Sequence, residues 1–86
     1  MQENRTIHLD FPVSVFSALR KTPEEFSRDL RLAAAAKWYE AGMLSQEKAA
    51  QVAGTTREDF LTKLSLFRVS PFQYSAEEVL REAGYE

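Results

Sequence analysis

The sequence predicts a mainly α-helical domain with one N-terminal β-strand, a long central helix, a pair of short helices and a short C-terminal helix. Three patterns indicate this fold class. Apolar residues alternate with polar ones near the N-terminus, which is typical of a half-buried strand. An alanine-rich stretch with apolar residues at helical spacing follows it. Serine or threonine caps then mark the starts of the shorter helices.

The composition excludes the disulfide-rich and membrane-spanning classes of protein. The 86 residues include no cysteine, and no stretch resembles a signal peptide or approaches the roughly 20 apolar residues of a membrane span. We therefore expect a cytoplasmic protein with no membrane partner. The formal net charge of -2, from 11 basic and 13 acidic side chains, disfavours strong non-specific binding to nucleic acid. A domain of this size is marginally stable alone, which favours oligomerisation.

The central helix is predicted over residues 26–43, with the rest of the chain arranged around it. Thr22 and Glu25 form a capping box, Pro23 suits the first helical position, and Gly42 ends the helix. Two apolar stripes run along opposite sides of it. The first consists of Phe26, Leu30, Ala34 and Trp38, and the second of Leu32, Ala35, Ala36, Tyr39 and Met43. Because this helix is apolar nearly all round, we expect neighbours on more than one side.

The strand is predicted where apolar Ile7, Leu9 and Phe11 alternate with polar Thr6 and His8. No second strand is predicted, and an unpaired strand would leave its backbone N–H and C=O groups without hydrogen-bond partners. We therefore predict a homodimer in which two copies of the strand form an antiparallel ribbon through Ile7, Leu9 and Phe11.

The order strand, helix, helix over residues 5–43 resembles the ribbon-helix-helix class of small bacterial DNA-binding proteins. That resemblance implies that the ribbon enters the major groove of DNA and presents Thr6 and His8 to the bases. Glu24 and Glu25 oppose this interpretation, because they compete with phosphate for the N-terminus of the second helix. The alternative is a ribbon that only dimerises and keeps its polar side in solvent.

A helix-turn-helix is predicted over residues 44–69. Ser45 caps its first helix, Gly54 turns the chain, and either Thr55 or Thr56 caps the second helix. Small alanines in the first helix would let the two helices cross closely.

The second helix of this pair carries the main predicted contacts with DNA. Its inward side is formed by Phe60, Leu64 and Phe67. Its outward side presents Arg57 as the main contact with a base or phosphate, with Thr56 and Thr62 as secondary contacts. Glu58 and Asp59 weaken the positive field there, so a purely structural helix pair is the alternative.

The tail over residues 70–86 is predicted to bind a protein partner. Pro71 stiffens an extended segment, and the short capped helix behind it is marginal unless its apolar side packs on something. The expected contacts are Pro71, Phe72, Tyr74, Val79 and Leu80. Aromatic side chains dominate the energetics of interfaces, and the acidic residues of the tail suit a basic groove. In the alternative, Phe72 and Tyr74 fill the protein's own core.

No pattern in the sequence indicates an enzyme or a cofactor site. The single histidine, His8, has no serine or cysteine partner at a recognisable spacing, and no cluster of carboxylates suggests a metal site. Three acidic pairs stand at predicted helix starts, where capping and the helix dipole explain them. We therefore predict no catalytic residue, no metal, no cofactor and no small-molecule substrate.

Three segments resemble a group of small uncharacterised bacterial, cyanobacterial and archaeal proteins that are classed as predicted helix-turn-helix antitoxins. They are the alanine-rich helix over 32–42, the sequence LSQEKAAQVAG over 44–54, and SPFQY over 70–74. The resemblance implies the antitoxin of a type II toxin–antitoxin pair, often encoded beside a PIN-domain ribonuclease toxin. Two hypotheses remain: an autoregulator that also binds its own promoter DNA, and a protein-interaction module that does not touch DNA.

Overall fold

Four α-helices make up most of the computed structural model, which describes residues 3–72. The helices are Val13–Leu19 (α1), Pro23–Glu40 (α2), Gln46–Ala53 (α3) and Arg57–Lys63 (α4), and one turn of 3₁₀ helix follows over Leu64–Phe67. The mainly α-helical character agrees with the prediction, whereas the predicted C-terminal helix lies outside the described residues. None of the helices within residues 3–72 is long and apolar enough to cross a membrane.

The predicted N-terminal strand is wrong, because residues 3–12 have no regular secondary structure. A strand is held by hydrogen bonds to a neighbouring strand, and the described part of the chain forms no strand that could supply them. Phe11 instead packs edge-to-face on Phe26 of α2, with ring centroids 4.8 Å apart. Ile7 and Leu9 stay 76% and 59% exposed. The antiparallel ribbon predicted through Ile7, Leu9 and Phe11 is therefore also wrong, because it requires that strand. We call residues 3–12 the N-terminal arm.

The first helix, α1, lies outside the core. None of its seven residues is buried. Its Phe16 ring packs edge-to-face on Phe26, with centroids 5.0 Å apart, so Phe26 joins both α1 and the N-terminal arm to α2. The helix ends at Arg20, whose φ of 55° lies in the left-handed region, and the Lys21 N–H then donates to the Phe16 carbonyl at 3.1 Å.

The start of α2 confirms the predicted capping box. The Glu25 N–H donates to the Thr22 hydroxyl at 3.1 Å, and the Thr22 N–H donates to a Glu25 carboxylate oxygen at 2.9 Å. The hydrogen bond from the Thr22 backbone holds the pKa of Glu25 below its ordinary value. Nearby, Asp29 accepts a hydrogen bond from the Lys21 ammonium at 2.6 Å, which raises the pKa of Lys21. These contacts fix the first two turns of the long helix.

Within residues 3–72 the core lies on one side of α2. In that range it consists of nine buried residues, Ala35, Ala36, Tyr39, Ala49, Ala50, Ala53, Phe60, Leu64 and Val69. The first three belong to the second apolar stripe of α2, which packs mainly on α3. The first stripe is only partly covered, because Leu30 and Trp38 remain 37% and 42% exposed. The two stripes therefore have different surroundings, although the sequence predicts neighbours on more than one side of the helix.

The inward side predicted for the second short helix is partly wrong. Phe60 and Leu64 are completely buried, but Phe67 is 37% exposed. The 3₁₀ turn ends at Arg68, where φ is 56°, and the Val69 N–H bonds back to the Leu64 carbonyl at 3.2 Å. This reversal is a Schellman motif, in which Val69 packs beside Leu64. Val69 therefore takes the core position that the helical spacing assigned to Phe67.

Replacing Phe60 by alanine should cost much more stability than the same change at Phe67. Truncating a fully buried phenylalanine costs about 3–5 kcal/mol of unfolding free energy, whereas Phe67 already meets solvent. Urea unfolding of Phe60→Ala and Phe67→Ala, compared with the wild type, measures both losses. Equal losses would contradict the placement of Phe67 outside the core.

Candidate functional site

Two short helices joined by a three-residue turn occupy the segment in which the helix-turn-helix was predicted. We call α3, α4 and this turn of Gly54, Thr55 and Thr56 the α3–α4 helix pair. The Ser45 hydroxyl caps α3 by accepting a backbone N–H at 3.1 Å. Of the two candidate caps for α4, the structure selects Thr56, whose hydroxyl accepts from the Asp59 N–H at 3.1 Å. The Thr55 hydroxyl instead donates to the Thr56 carbonyl.

The end of α3 is held by Arg31, which lies on α2. Arg31 Nε donates to the Val52 carbonyl at 2.8 Å, and Nη2 donates to the Gln51 carbonyl at 3.2 Å. The Gln51 carbonyl also accepts the Gly54 N–H at 3.2 Å, and a cation at this end of a helix suits the helix dipole. Gly54 has a φ of 75°, and a Cβ on it would lie 3.1 Å from Arg31 Nη1. Glycine is therefore favoured at position 54 by its backbone conformation and by the space available.

The outward side of α4 presents Arg57 to solvent. This side chain is exposed and forms no ion pair within residues 3–72. The Thr56 hydroxyl is the cap of the helix, and the Thr62 hydroxyl donates to the Glu58 carbonyl at 3.0 Å. Leu61 is half-buried against the core. Of the three residues predicted on α4 to contact DNA, Arg57 is therefore the one whose polar groups are least committed to the protein itself.

The formal charges along α4 cancel. Lys63 pairs with Asp59 across one helical turn, with Nζ and Oδ2 3.0 Å apart. That pair leaves Arg57 beside Glu58, so the helix as a whole is formally neutral. No group of three or more His, Cys, Asp or Glu side chains within the described part of the chain could hold a metal ion. On α4 itself, Arg57 is therefore the cation without an ion pair among residues 3–72, and the helix has no strongly basic field.

The other predicted DNA contacts, Thr6 and His8, lie on the N-terminal arm. Both are exposed. His8 lines a groove between the arm and α2, and none of the α4 residues predicted to contact DNA lines that groove. The structure therefore does not bring the two predicted sets of DNA contacts together in this groove.

The first residues of the tail are attached beside the core. The Pro71 carbonyl accepts hydrogen bonds from the Tyr39 hydroxyl and, at 3.3 Å, from Gln46 Nε2. Gln46 also donates to the Tyr39 hydroxyl at 3.1 Å. Phe72, the last described residue, is 73% exposed and so does not fill the core. The other predicted partner contacts lie outside the described residues, namely Tyr74, Val79 and Leu80.

Sequence reasoning missed the roles of Arg31 and Tyr39. Arg31 bonds to carbonyls 20 and 21 residues further along the chain, a pairing for which no local pattern exists. The apolar stripe predicts that Tyr39 is buried, but it does not predict the hydrogen bond that the Tyr39 hydroxyl donates to the Pro71 carbonyl. Because a buried tyrosine hydroxyl needs a hydrogen-bond partner, a tyrosine on a buried stripe predicts a polar contact for its hydroxyl.

Comparison with known proteins places this chain among uncharacterised relatives. The family model described as uncharacterised protein family UPF0175 matches residues 1–85. A UPF0175 protein of Aeropyrum pernix is 37% identical over 62 residues, which cover 72% of this chain and 78% of that protein. A second UPF0175 protein of the same organism is 36% identical over 67 residues, covering 78% of this chain and 74% of that protein. No solved structure matches the chain.

Gly54→Ala should destabilise the protein more than Gly42→Ala. Both glycines have left-handed φ angles, 75° and 77°, so both changes incur the same conformational cost of about 1–2 kcal/mol. Only the Cβ at position 54 meets the Arg31 guanidinium, since a Cβ at position 42 meets nothing within 4 Å. Urea unfolding of the two variants measures how much more free energy of unfolding is lost in Gly54→Ala than in Gly42→Ala.

The Arg31→Ala background is the control for this comparison. Without the guanidinium, the two glycine substitutions should cost the same free energy of unfolding. An excess at position 54 that persists in that background would contradict the assigned role of Arg31.

Proposed function

The chain belongs to the uncharacterised protein family UPF0175, and we propose that it is the antitoxin and DNA-binding autoregulator of a type II toxin–antitoxin pair. In this proposal the α3–α4 helix pair is a helix-turn-helix that reads promoter DNA, and the tail neutralises a PIN-type ribonuclease toxin. The observation that carries the DNA-binding part is the exposed Arg57 in the first turn of α4. The toxin partner is inferred from the resemblance of the sequence to predicted antitoxins.

The surroundings of α4 support a role as a rigid reading helix. Phe60 is completely buried and packs edge-to-face on Tyr39, with ring centroids 5.8 Å apart. Thr56 caps the helix start, and Arg31 fixes the end of the preceding helix. The backbone that carries Arg57 is thereby held in one position. A base contact requires such a fixed backbone, because a bidentate hydrogen bond to guanine tolerates little displacement.

The distribution of charge supports a division of labour between the domain and its tail. Residues 3–72 contain ten basic and nine acidic side chains, whereas residues 73–86 contain one basic and four acidic ones. The acidic surplus that disfavours contact with DNA is therefore concentrated in the tail. An acidic tail suits the basic surface that a ribonuclease uses to bind RNA.

The attachment of the tail supports its use as a partner-binding segment. Tyr39 and Gln46 hold the Pro71 carbonyl at the surface of the domain, and Phe72 immediately beyond it is exposed. An exposed aromatic next to a fixed anchor can bury a large area in a partner with little loss of conformational entropy. The tail thus begins at a defined point from which it can reach a second protein.

The second candidate is an interaction module that neutralises or tethers a partner without touching DNA. The cancelling charges of α4 favour it, since Glu58 lies beside Arg57 and Asp59 occupies the ion pair with Lys63. In that case α4 is only part of the scaffold, and promoter binding should be absent at physiological salt.

Arg57→Ala should weaken binding to the protein's own promoter by about 1–3 kcal/mol if the guanidinium is bidentate to guanine. Fluorescence anisotropy on a labelled promoter fragment, repeated at several salt concentrations, measures the loss and the salt slope. Lys37→Ala is the matched control, because Lys37 is an exposed cation on α2 that pairs with Glu40 at 3.0 Å.

Three outcomes of that titration would reject the assignment to Arg57. Unchanged promoter affinity in Arg57→Ala excludes α4 as the reader of the promoter. A loss confined to Thr6→Ala and His8→Ala would make the N-terminal arm the reader. No binding by the wild type would favour the interaction module.

Phe72→Ala should lower affinity for the toxin at least about tenfold, as expected of an aromatic anchor at an interface. The melting temperature of the isolated protein should hardly change, because the side chain is 73% exposed. Leu66→Ala, at a similarly exposed apolar position on the 3₁₀ turn, should leave both quantities unchanged. Calorimetric titration against the proposed PIN-type ribonuclease toxin and a thermal melt provide the two readouts. A large loss of thermal stability would instead make Phe72 part of the domain.

A further inference from the structure

An open groove of about 950 Å³ separates the N-terminal arm from the first apolar stripe of α2. We call it the arm groove. Its α2 wall includes Phe26, Leu30, Ala34 and Trp38, and its arm wall includes Ile7 and Leu9. Leu30, Trp38, Ile7 and Leu9 all remain substantially exposed to solvent. Apolar side chains concentrated in one exposed groove indicate a binding surface.

The core of the described chain does not use this side of α2. All nine buried residues lie between Ala35 and Val69, and α1 contributes none. Among the residues that the structure describes, only two large side chains, Phe60 and Leu64, are completely buried. A core of this size provides little stability by itself, so a second copy that buries more apolar surface would stabilise residues 3–72.

The charge of the arm groove suits another copy of the same surface. Its charged lining residues are Glu3, Arg5 and Arg31. Arg31 is already engaged with the carbonyls of α3, which leaves one acid and one base on the arm. Two identical surfaces of this kind do not repel one another, and a strongly charged partner would find no complementary charge here.

We propose that a second copy of this chain docks on the arm groove, with the first apolar stripes of the two α2 helices facing each other. An interface that uses the same surface on both copies closes as a two-fold dimer. Such an interface resembles a domain core cut in half, which is the character that permanent homodimers show. The contact is made by side chains of α2 and requires no strand pairing. It is independent of the proposed antitoxin and DNA-binding functions.

Sedimentation equilibrium of the full chain tests this interface. The wild type should be a dimer, and Leu30→Glu should raise the dimer dissociation constant at least about 100-fold by placing an unpaired carboxylate in an apolar contact. Leu66→Glu is the matched control and should remain dimeric, because Leu66 lies on the 3₁₀ turn away from the groove. Helical circular dichroism checks that each variant is folded.

Spin-label distances provide a second measurement that does not depend on a disruptive variant. The chain has no cysteine, so Ala34→Cys and Ser65→Cys each supply one labelling position per copy. The distance between labels should be shorter for position 34 on α2 than for position 65 on the 3₁₀ turn. A longer distance at position 34 would overturn the proposed interface.

Two further results would overturn the proposal. One is a wild type that stays monomeric at high concentration. If the arm groove of that monomer binds an apolar dye, the groove takes a small ligand and not a second copy. The other is a dimer that Leu66→Glu dissociates and Leu30→Glu does not.

Discussion

The close packing of the alanine side of α2 on the alanine side of α3 is the contact on which the rest of the structure depends. Ala35 and Ala36 of α2 and Ala49, Ala50 and Ala53 of α3 are all buried in the same core, where α2 packs on α3. Because none carries a side chain beyond Cβ, the two backbones can approach closely and leave room for Phe60 and Leu64 beside them. Replacing any of them by a larger residue would force the helices apart. The position of α4, and with it the candidate DNA-binding surface, follows from this packing.

Two polar side chains of α2 complete that arrangement where the apolar contacts end. Arg31 satisfies carbonyls at the end of α3, and Tyr39 links Gln46 to the Pro71 carbonyl. Within residues 3–72 no buried side-chain nitrogen or oxygen lacks a hydrogen-bond partner. The helix that forms the core therefore also positions the α3–α4 helix pair and the start of the tail. A partner on either surface would act on the same scaffold.

The opposite side of α2 gives the protein a second surface with a different character. The second apolar stripe of α2 contributes buried residues to the core, whereas the arm groove exposes apolar side chains of Ile7, Leu30 and Trp38. If two copies meet there, each dimer carries two α4 helices and two copies of Arg57. Two copies of Arg57 would offset the weak positive field of one α3–α4 helix pair, since contacts with phosphate accumulate along DNA. Dimerisation and binding to promoter DNA would then use separate sides of one helix.

The sequence by itself determined the features that depend on residues within one helical turn. Thr22 and Ser45 act as caps, and Gly42 and Gly54 end helices, because these interactions involve only near neighbours. The tertiary structure decided the other features of the fold, because the local sequence is equally compatible with the alternative conformations and contacts of these segments.

Whether residues 3–12 form a strand depends on a partner strand, which the local sequence does not contain. Which stripe of α2 is buried depends on where α3 docks. The hydrogen bonds of Arg31 join residues 20 and 21 positions apart, and burial of Val69 in place of Phe67 depends on a chain reversal at Arg68.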